Sequence, residues 1–298
     1  MIKWLPYTQK YYGQVVDCLK RNFDSLNAMS DKTLSQWMDN LTNYPWIHNA
    51  DIEALEWKSG VVLTDDEKVV GYLGLIYSVQ NICEKKRTVV NPTTWAIDEK
   101  YRLTVLDAIK RTDLTADITY NITPIDNMQK ILSSVFHYTV FDDKTYVFNY
   151  NRFIKAEKIK WQWVDFTTPD LQDDIKQKLS DHQNYPIKCA CFEADGQKAY
   201  IFYKVRKGKR KKILPFTHIT VLETDNTEFF GNYAKEVITS LQVAEKASLI
   251  SDGRFFNGEN NYTKKADKII PAHRMKISKD GLEYNGESFL YSEIAILH

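Results

Sequence analysis

The sequence predicts a mixed α/β fold made of two copies of one unit, each a mostly antiparallel sheet flanked by helices. Two apolar periods carry this. Tyr12, Val15, Val16, Leu19 and Phe23 recur at helical spacing, whereas "GVVLTDDEKVVGYLGLIYSV" is two apolar runs around a polar turn. A third observation is a repeat. The element order of the first half returns in the second at an offset of roughly 125 to 130 residues.

Ile2 to Leu5 reads as a short strand, and Gln9 to Asn22 as an amphipathic helix. Ser30 or Asp31 caps a second helix carrying Leu34, Trp37, Met38 and Leu41, ended near Pro45. The hairpin turns at Thr64 to Glu67. A basic loop, Glu84 to Arg87, leads to a strand at Thr93 to Ile97. There follow a helix over Leu103 to Arg111, a strand over Ile118 to Ile122 and a helix over Ile125 to Phe136. Two strands, around Tyr138 to Phe141 and Lys144 to Asn149, complete the copy.

In the second half, Trp161 and Trp163 share one face of a strand and read as core. "CFEADGQKAYIFYKVRK" is again a hairpin, turning at Asp195-Gly196. The strand "THITVLETD", a helix over Glu228 to Glu245 and a strand over Ala247 to Ser251 keep the order. The boundary falls near Asn151 to Lys160, giving domains 1–150 and 151–298. The tail from Arg274 reads as two strands turning at Asp280-Gly281.

Composition bounds the function. Hydrophobic residues make up 43% of the 298, which excludes a disordered chain. With 40 basic against 39 acidic residues the net charge is +1, which argues against a nucleic-acid binder. Cys18, Cys83, Cys189 and Cys191 show neither a Cys-x-x-Cys pair nor zinc spacing, so the expectation is reduced thiols and no metal. "MIKWLPYTQKYY" is not a signal peptide, and no apolar run is long enough to span a bilayer. A cytoplasmic protein away from membranes is expected; an oligomer is possible.

The informative stretch is "NPTTWAIDEKYRLTVLDAIKR", a strand running into a helix without a glycine. Such a junction can hold a pyrophosphate on exposed helix amides. "VVGYLGLIYS", "WAIDEKYR" and "ITYNITPIDNMQKILSSVF", in this element order, resemble the GNAT superfamily of acyl-coenzyme A N-acyltransferases. The resemblance covers most of Met1 to Asn149; the second half shares the order but little local sequence. Among such proteins, tandem members that acylate nucleotide-linked amino sugars for surface polysaccharide look similar.

The resemblance implies acyl-CoA as co-substrate and direct N-acylation of a small-molecule acceptor. The strand at Trp95, Ala96 and Ile97 would splay from its neighbour and pair with the pantetheine arm, with Asn121 and Thr123 facing it. Tyr101, Arg102, Leu103 and Thr104 would hold the pyrophosphate. The superfamily's usual loop is Arg/Gln-x-x-Gly-x-Gly/Ala; this chain keeps Arg102 and then departs. Two readings stay open: Thr104 and Asp107 close the helix as a capping box, or the Thr104 hydroxyl meets a phosphate. "ETDNTEFFGN" in the second copy is too acidic for a pyrophosphate.

Direct transfer needs a polarised carbonyl, a base and an acid. The amide of Ile97 or Asp98 would polarise the carbonyl. Asp98 and His137 are the base candidates, against plain readings as a turn residue and a packed core residue. The superfamily's tyrosine acid is missing before Tyr138, so Ser134 or a water would substitute. Tyr120, and Arg254, Phe255, Phe256 and Asn257 in "SDGRFFNGENNY", suit binding of a nucleotide-linked acceptor, or else core and an ordinary loop. "KVRKGKRKK", Lys204 to Lys212, is either a solvated hairpin loop or a site for an anionic partner. Rival functions are acylation of a peptide or aminoacyl-tRNA, and a non-catalytic binding module.

Overall fold

The computed structural model describes every residue except 211–213, 257–260, 283–287 and 298, and only the backbone of 209, 210, 214 and 215. Six strands come from the first half: β1 Ile2–Pro6, β2 Val61–Asp65, β3 Lys68–Ile82, β4 Lys85–Ile97, β5 Ile118–Asn121 and β6 Thr139–Phe148. Six come from the second: β7 Lys160–Val164, β8 Ile187–Ala194, β9 Gln197–Arg210, β10 Leu214–Thr224, β11 Ser248–Asp252 and β12 Lys268–Ser278.

The chain forms two compact units. Unit one is Met1–Val140 with Arg274–Glu283 and Tyr291–Leu297; unit two is Phe141–His273 with Tyr284–Leu290. The repeat expected from the sequence put the division near Asn151 to Lys160, whereas the compact units part at Val140/Phe141. In unit one the strand order is β1-β2-β3-β4-β5-β12, and in unit two it is β7-β8-β9-β10-β11-β6. Each is antiparallel except for one parallel step, β4 to β5 and β10 to β11. The sixth strand of each unit thus comes from the other half of the sequence.

Local chemistry accounts for most of these elements. Helix Tyr12–Asn22 buries Val15, and three and four residues on Cys18 and Leu19, on one face. Ser30 caps helix Asp31–Thr42 by accepting from the Thr33 amide at 3.2 Å. β3 is buried along Val69–Ser78 because both its faces are covered, so it reads as a continuous apolar run.

Four expectations change. Lys85–Arg87 is strand, not loop, because Cys83 and Glu84 make a tight left-handed turn (φ 49° and 60°) that joins β3 to β4 directly. The two strands foreseen around residues 138–149 are one, β6. The basic run is mostly strand: β9 reaches Arg210, and Lys204 is buried, its ammonium pushed down to about 8 by burial and then by Arg206. The tail ends in a short helix, Glu293–Ile296, rather than a second strand. Of the two tryptophans, Trp161 stacks on Phe192 (5.5 Å, 14°) while Trp163 is 56% exposed.

Each unit has its own core. Unit one gathers Leu63, Val70, Ile97, Tyr101, Val105, Ile109, Leu132 and Met275. Unit two gathers Phe192, Ile201, Phe229, Phe230, Ile238, Phe255 and Phe256 among others. Among the described residues no helix is long and apolar enough to cross a membrane, and no cluster could hold a metal.

Gly60 leads into β2 with φ of +99°, and a Cβ there would sit 2.7 Å from the Leu73 carbonyl oxygen. Gly60→Ala should therefore cost about 2 kcal/mol of stability, read as a lower urea midpoint. A loss under about 0.5 kcal/mol would mean the loop relaxes around the methyl.

Candidate active site

The candidate site is where β4 leaves β5. Their parallel register holds only Val89↔Ile118 and Val90↔Thr119. Beyond it β5 turns to β12, with Tyr120 opposite Lys276 and Asn121 opposite Met275. A bulge bends β4 here: Thr94 and Trp95 together oppose Leu73, and Thr94 takes the left-handed conformation (φ 54°). Asn91 to Ile97 therefore present one backbone edge to the gap.

The strand runs into a helix start of unusual form. The Asp98 amide donates to the Val70 carbonyl at 2.9 Å. A 3-10 turn, Glu99–Thr104, then feeds helix Val105–Thr115. Thr104 is helical (φ −68°) and its hydroxyl donates back to the Tyr101 carbonyl at 2.7 Å. No side chain caps the helix, so the Thr104–Asp107 capping box does not form. Trp4 fixes the junction by donating to the Thr104 carbonyl at 3.1 Å. Arg102 and Leu103 are exposed beside it.

Tyr101 is placed otherwise than expected. Its ring is buried in the unit-one core and its hydroxyl donates to Asp65, so only its backbone faces the junction. Trp95 is half-buried, and Ala96 and Ile97 are buried. Tyr120 and Asn121 are buried in β5, and Thr123 lies just past its end.

The three catalytic candidates are held by three separate sets of partners. Asp98 accepts from Arg21 at 3.1 Å and Asn22 at 3.2 Å, which ties it to helix Tyr12–Asn22. Ser134 is exposed and donates to the Lys130 carbonyl within its own helix, at 2.7 Å. His137 is exposed too, ending helix Asp126–Phe136 in the left-handed conformation (φ 59°) rather than packing in the core. Tyr138 is buried and donates to Asp113 at 2.7 Å.

The sequence reading missed the residue at the apex of the gap. Glu293, on the C-terminal helix, is 4% exposed. It accepts from Asn91 of β4 and, at 2.9 Å, from the Thr123 hydroxyl just past β5. Burial raises its pKa above the usual carboxylate range, with the Asn91 and Thr123 bonds and the Arg274 charge opposing. Arg274 of β12 donates to the Ile122 carbonyl beside it. The signal was there in "SEIAILH": one carboxylate in an apolar run is buried only with partners.

Unit two has the same departure, and its own chain fills it. β10 and β11 pair through Thr220↔Ile250 and then part. The Leu222 carbonyl accepts from the Phe289 amide at 3.2 Å and from Arg254 at 3.3 Å. The Arg254 guanidinium lies between the rings of Phe255 (4.1 Å) and Phe289 (4.0 Å), beside Asp142 (3.9 Å) and Asp252 (4.0 Å). Arg254, Phe255 and Phe256 are thus interior groups, not a ligand surface: the two rings pack in the core and the cation is enclosed. Asn257 lies outside the described residues.

Burial, and then the neighbouring Asp252, push the Asp142 carboxyl up to about 6. A carboxyl whose folded pKa is raised binds more protons folded than unfolded, so it lowers stability as pH rises through that window. Asp142→Asn removes this slope. Its stability relative to the native chain should climb between about pH 4 and pH 6.5, by on the order of 2 kcal/mol, in urea midpoints taken across that range. A difference independent of pH would remove Asp142 as the titrating group.

No protein-family model and no curated protein sequence matches the chain. Solved structures do. A GCN5-related N-acetyltransferase from Anabaena variabilis matches 93% of this chain and 72% of its own, at 11% identity and a TM-score of 0.55. A GCN5-related N-acetyltransferase from Kribbella flavida matches over the same shares at 10% identity and 0.54. The Saccharomyces cerevisiae N-myristoyltransferase, solved with bound myristoyl-CoA, matches 97% of this chain and 83% of its own at 8% identity and 0.51. At such identities the likeness is one of fold, and the fold of this chain is that of the GNAT N-acyltransferases.

Proposed function

We propose that the chain is an acyl-CoA-dependent N-acyltransferase whose co-substrate lies in the unit-one gap. The observation that carries this reading is the free edge of β4 after Val90, leading to a 3-10 turn at Glu99 that no side chain caps. The pantetheine amides would add to that edge as a short strand does. The pyrophosphate would meet the 3-10 turn at Glu99–Thr104, with the exposed Arg102 as counter-charge. When bound, acyl-CoA supplies an activated thioester, either acetyl or a longer acyl group. The protein supplies alignment: β4 amides hold the donor, and the bulge at Thr94 turns the strand so that Trp95 to Ile97 face it.

Unit two is read as the acceptor-binding half of a tandem pair, because its own gap is filled by Phe289 and Arg254. The acceptor is read as a nucleotide-linked amino sugar of surface polysaccharide synthesis, in a cytoplasmic enzyme. That rests on the tandem resemblance alone. A peptide acceptor is the runner-up.

Calorimetric titration with acetyl-CoA tests the reading, and micromolar binding is the expected result. Thr104→Glu should weaken it tenfold or more, about 1.4 kcal/mol, by placing a carboxylate at the pyrophosphate end. Unchanged affinity would take this turn out of the site. No binding at millimolar ligand would leave a non-catalytic module.

A further inference from the structure

We propose that Glu293 is the proton acceptor of the transfer, and that with Asn91 it forms the subsite for the attacking amine. This rests on the acyltransferase reading of the same gap. Glu293 reaches the apex of the gap from far along the chain, 202 residues from Asn91 and 170 from Thr123. Its two oxygens are held from opposite sides, by β4 through Asn91 and by the segment after β5 through Thr123. The Asn91 side-chain oxygen is buried beside it with no hydrogen-bond partner. Two acceptors side by side suit a group that brings N–H donors, as a primary amine does.

The helix that carries Glu293 is firmly seated. Asn40 donates to the Ile296 carbonyl at 3.2 Å, and Trp46 packs edge-on against Tyr291 at 4.9 Å. Burying a carboxylate this fully costs stability, which a plain structural contact would not require. The groups facing it are the Thr123 hydroxyl, the Asn91 amide and the Arg274 guanidinium. Desolvation makes it a stronger base than a carboxylate in water.

The step balances without a further reactant. The amine nitrogen bonds to the thioester carbonyl carbon as the carbon–sulfur bond breaks. The proton leaving nitrogen goes to a Glu293 oxygen, and the CoA thiolate takes one from solvent. Glu293 later returns its proton to solvent. The deprotonated carboxylate is the active form, so kcat/KM rises with pH through the Glu293 pKa.

The test compares the native chain with Glu293→Gln. Thiol release from acetyl-CoA is followed across pH with a panel of primary amines: amino sugars, their nucleotide-linked forms and short peptides. In parallel, the infrared carboxyl band of the free proteins is titrated. The expected result is a fall in kcat of a hundredfold or more, loss of the acidic limb, and loss of one buried carboxyl band. Acetyl-CoA affinity should stay within about threefold. A variant that keeps the native rate and pH limb, or the same carboxyl bands, overturns the proposal. If Glu293→Gln does not fold, Glu293→Asp decides: it retracts the carboxylate by one methylene, so kcat should drop at least tenfold with affinity held. An unchanged kcat there overturns it equally. Failure of the native chain to bind acetyl-CoA, or to release thiol with any amine, removes the acyltransferase reading and this proposal with it.

Discussion

The candidate site depends on how briefly β4 and β5 stay together. Two register pairs join them, and then the strands part. A backbone edge released this way must find partners, because unmet amides and carbonyls in a dry interior cost free energy. The bulge at Thr94 sets the angle of departure, and the junction at Asp98 to Thr104 sets what lies at the far end. Neither would matter if the pairing ran on.

The two units resolve the same problem differently. In unit two the Leu222 carbonyl is met by Phe289 and Arg254, and the space is sealed by stacked rings and buried charge. In unit one the chain contributes a carboxylate and two side-chain partners at the apex, while the edge toward Ile97 is left to face the gap. One gap is a piece of core and the other has polar chemistry at its closed end.

Much of the fold was legible because alternation and helical spacing are local properties. Helices Tyr12–Asn22 and Asp31–Thr42 and the hairpin at Asp66-Glu67 lie where the residues pointed. The β3–β4 hairpin was hidden because Cys83-Glu84 takes a left-handed turn without the glycine or asparagine that usually announces one. Lys204 to Arg210 looked like a loop because charge suggests solvent, yet Lys204 alternates into the interior. Arg254 with Phe255 and Phe256 has the composition of a base-binding loop and of a buried cation–π stack alike. Glu293 escaped because its partners are far away in sequence and the tail read as strand.

The exchange of last strands has a consequence for how the protein is made. β5 waits for Met275–Ser278, and Asn91 for Glu293, so the first unit stays unfinished until those residues have been translated. At about 5–20 residues per second, that leaves the β5 edge bare for on the order of ten seconds on the ribosome. A bare edge invites wrong pairing. The nascent protein therefore depends on whatever shields it during that interval, and its two halves, expressed as separate fragments, would each lack the strand that completes them.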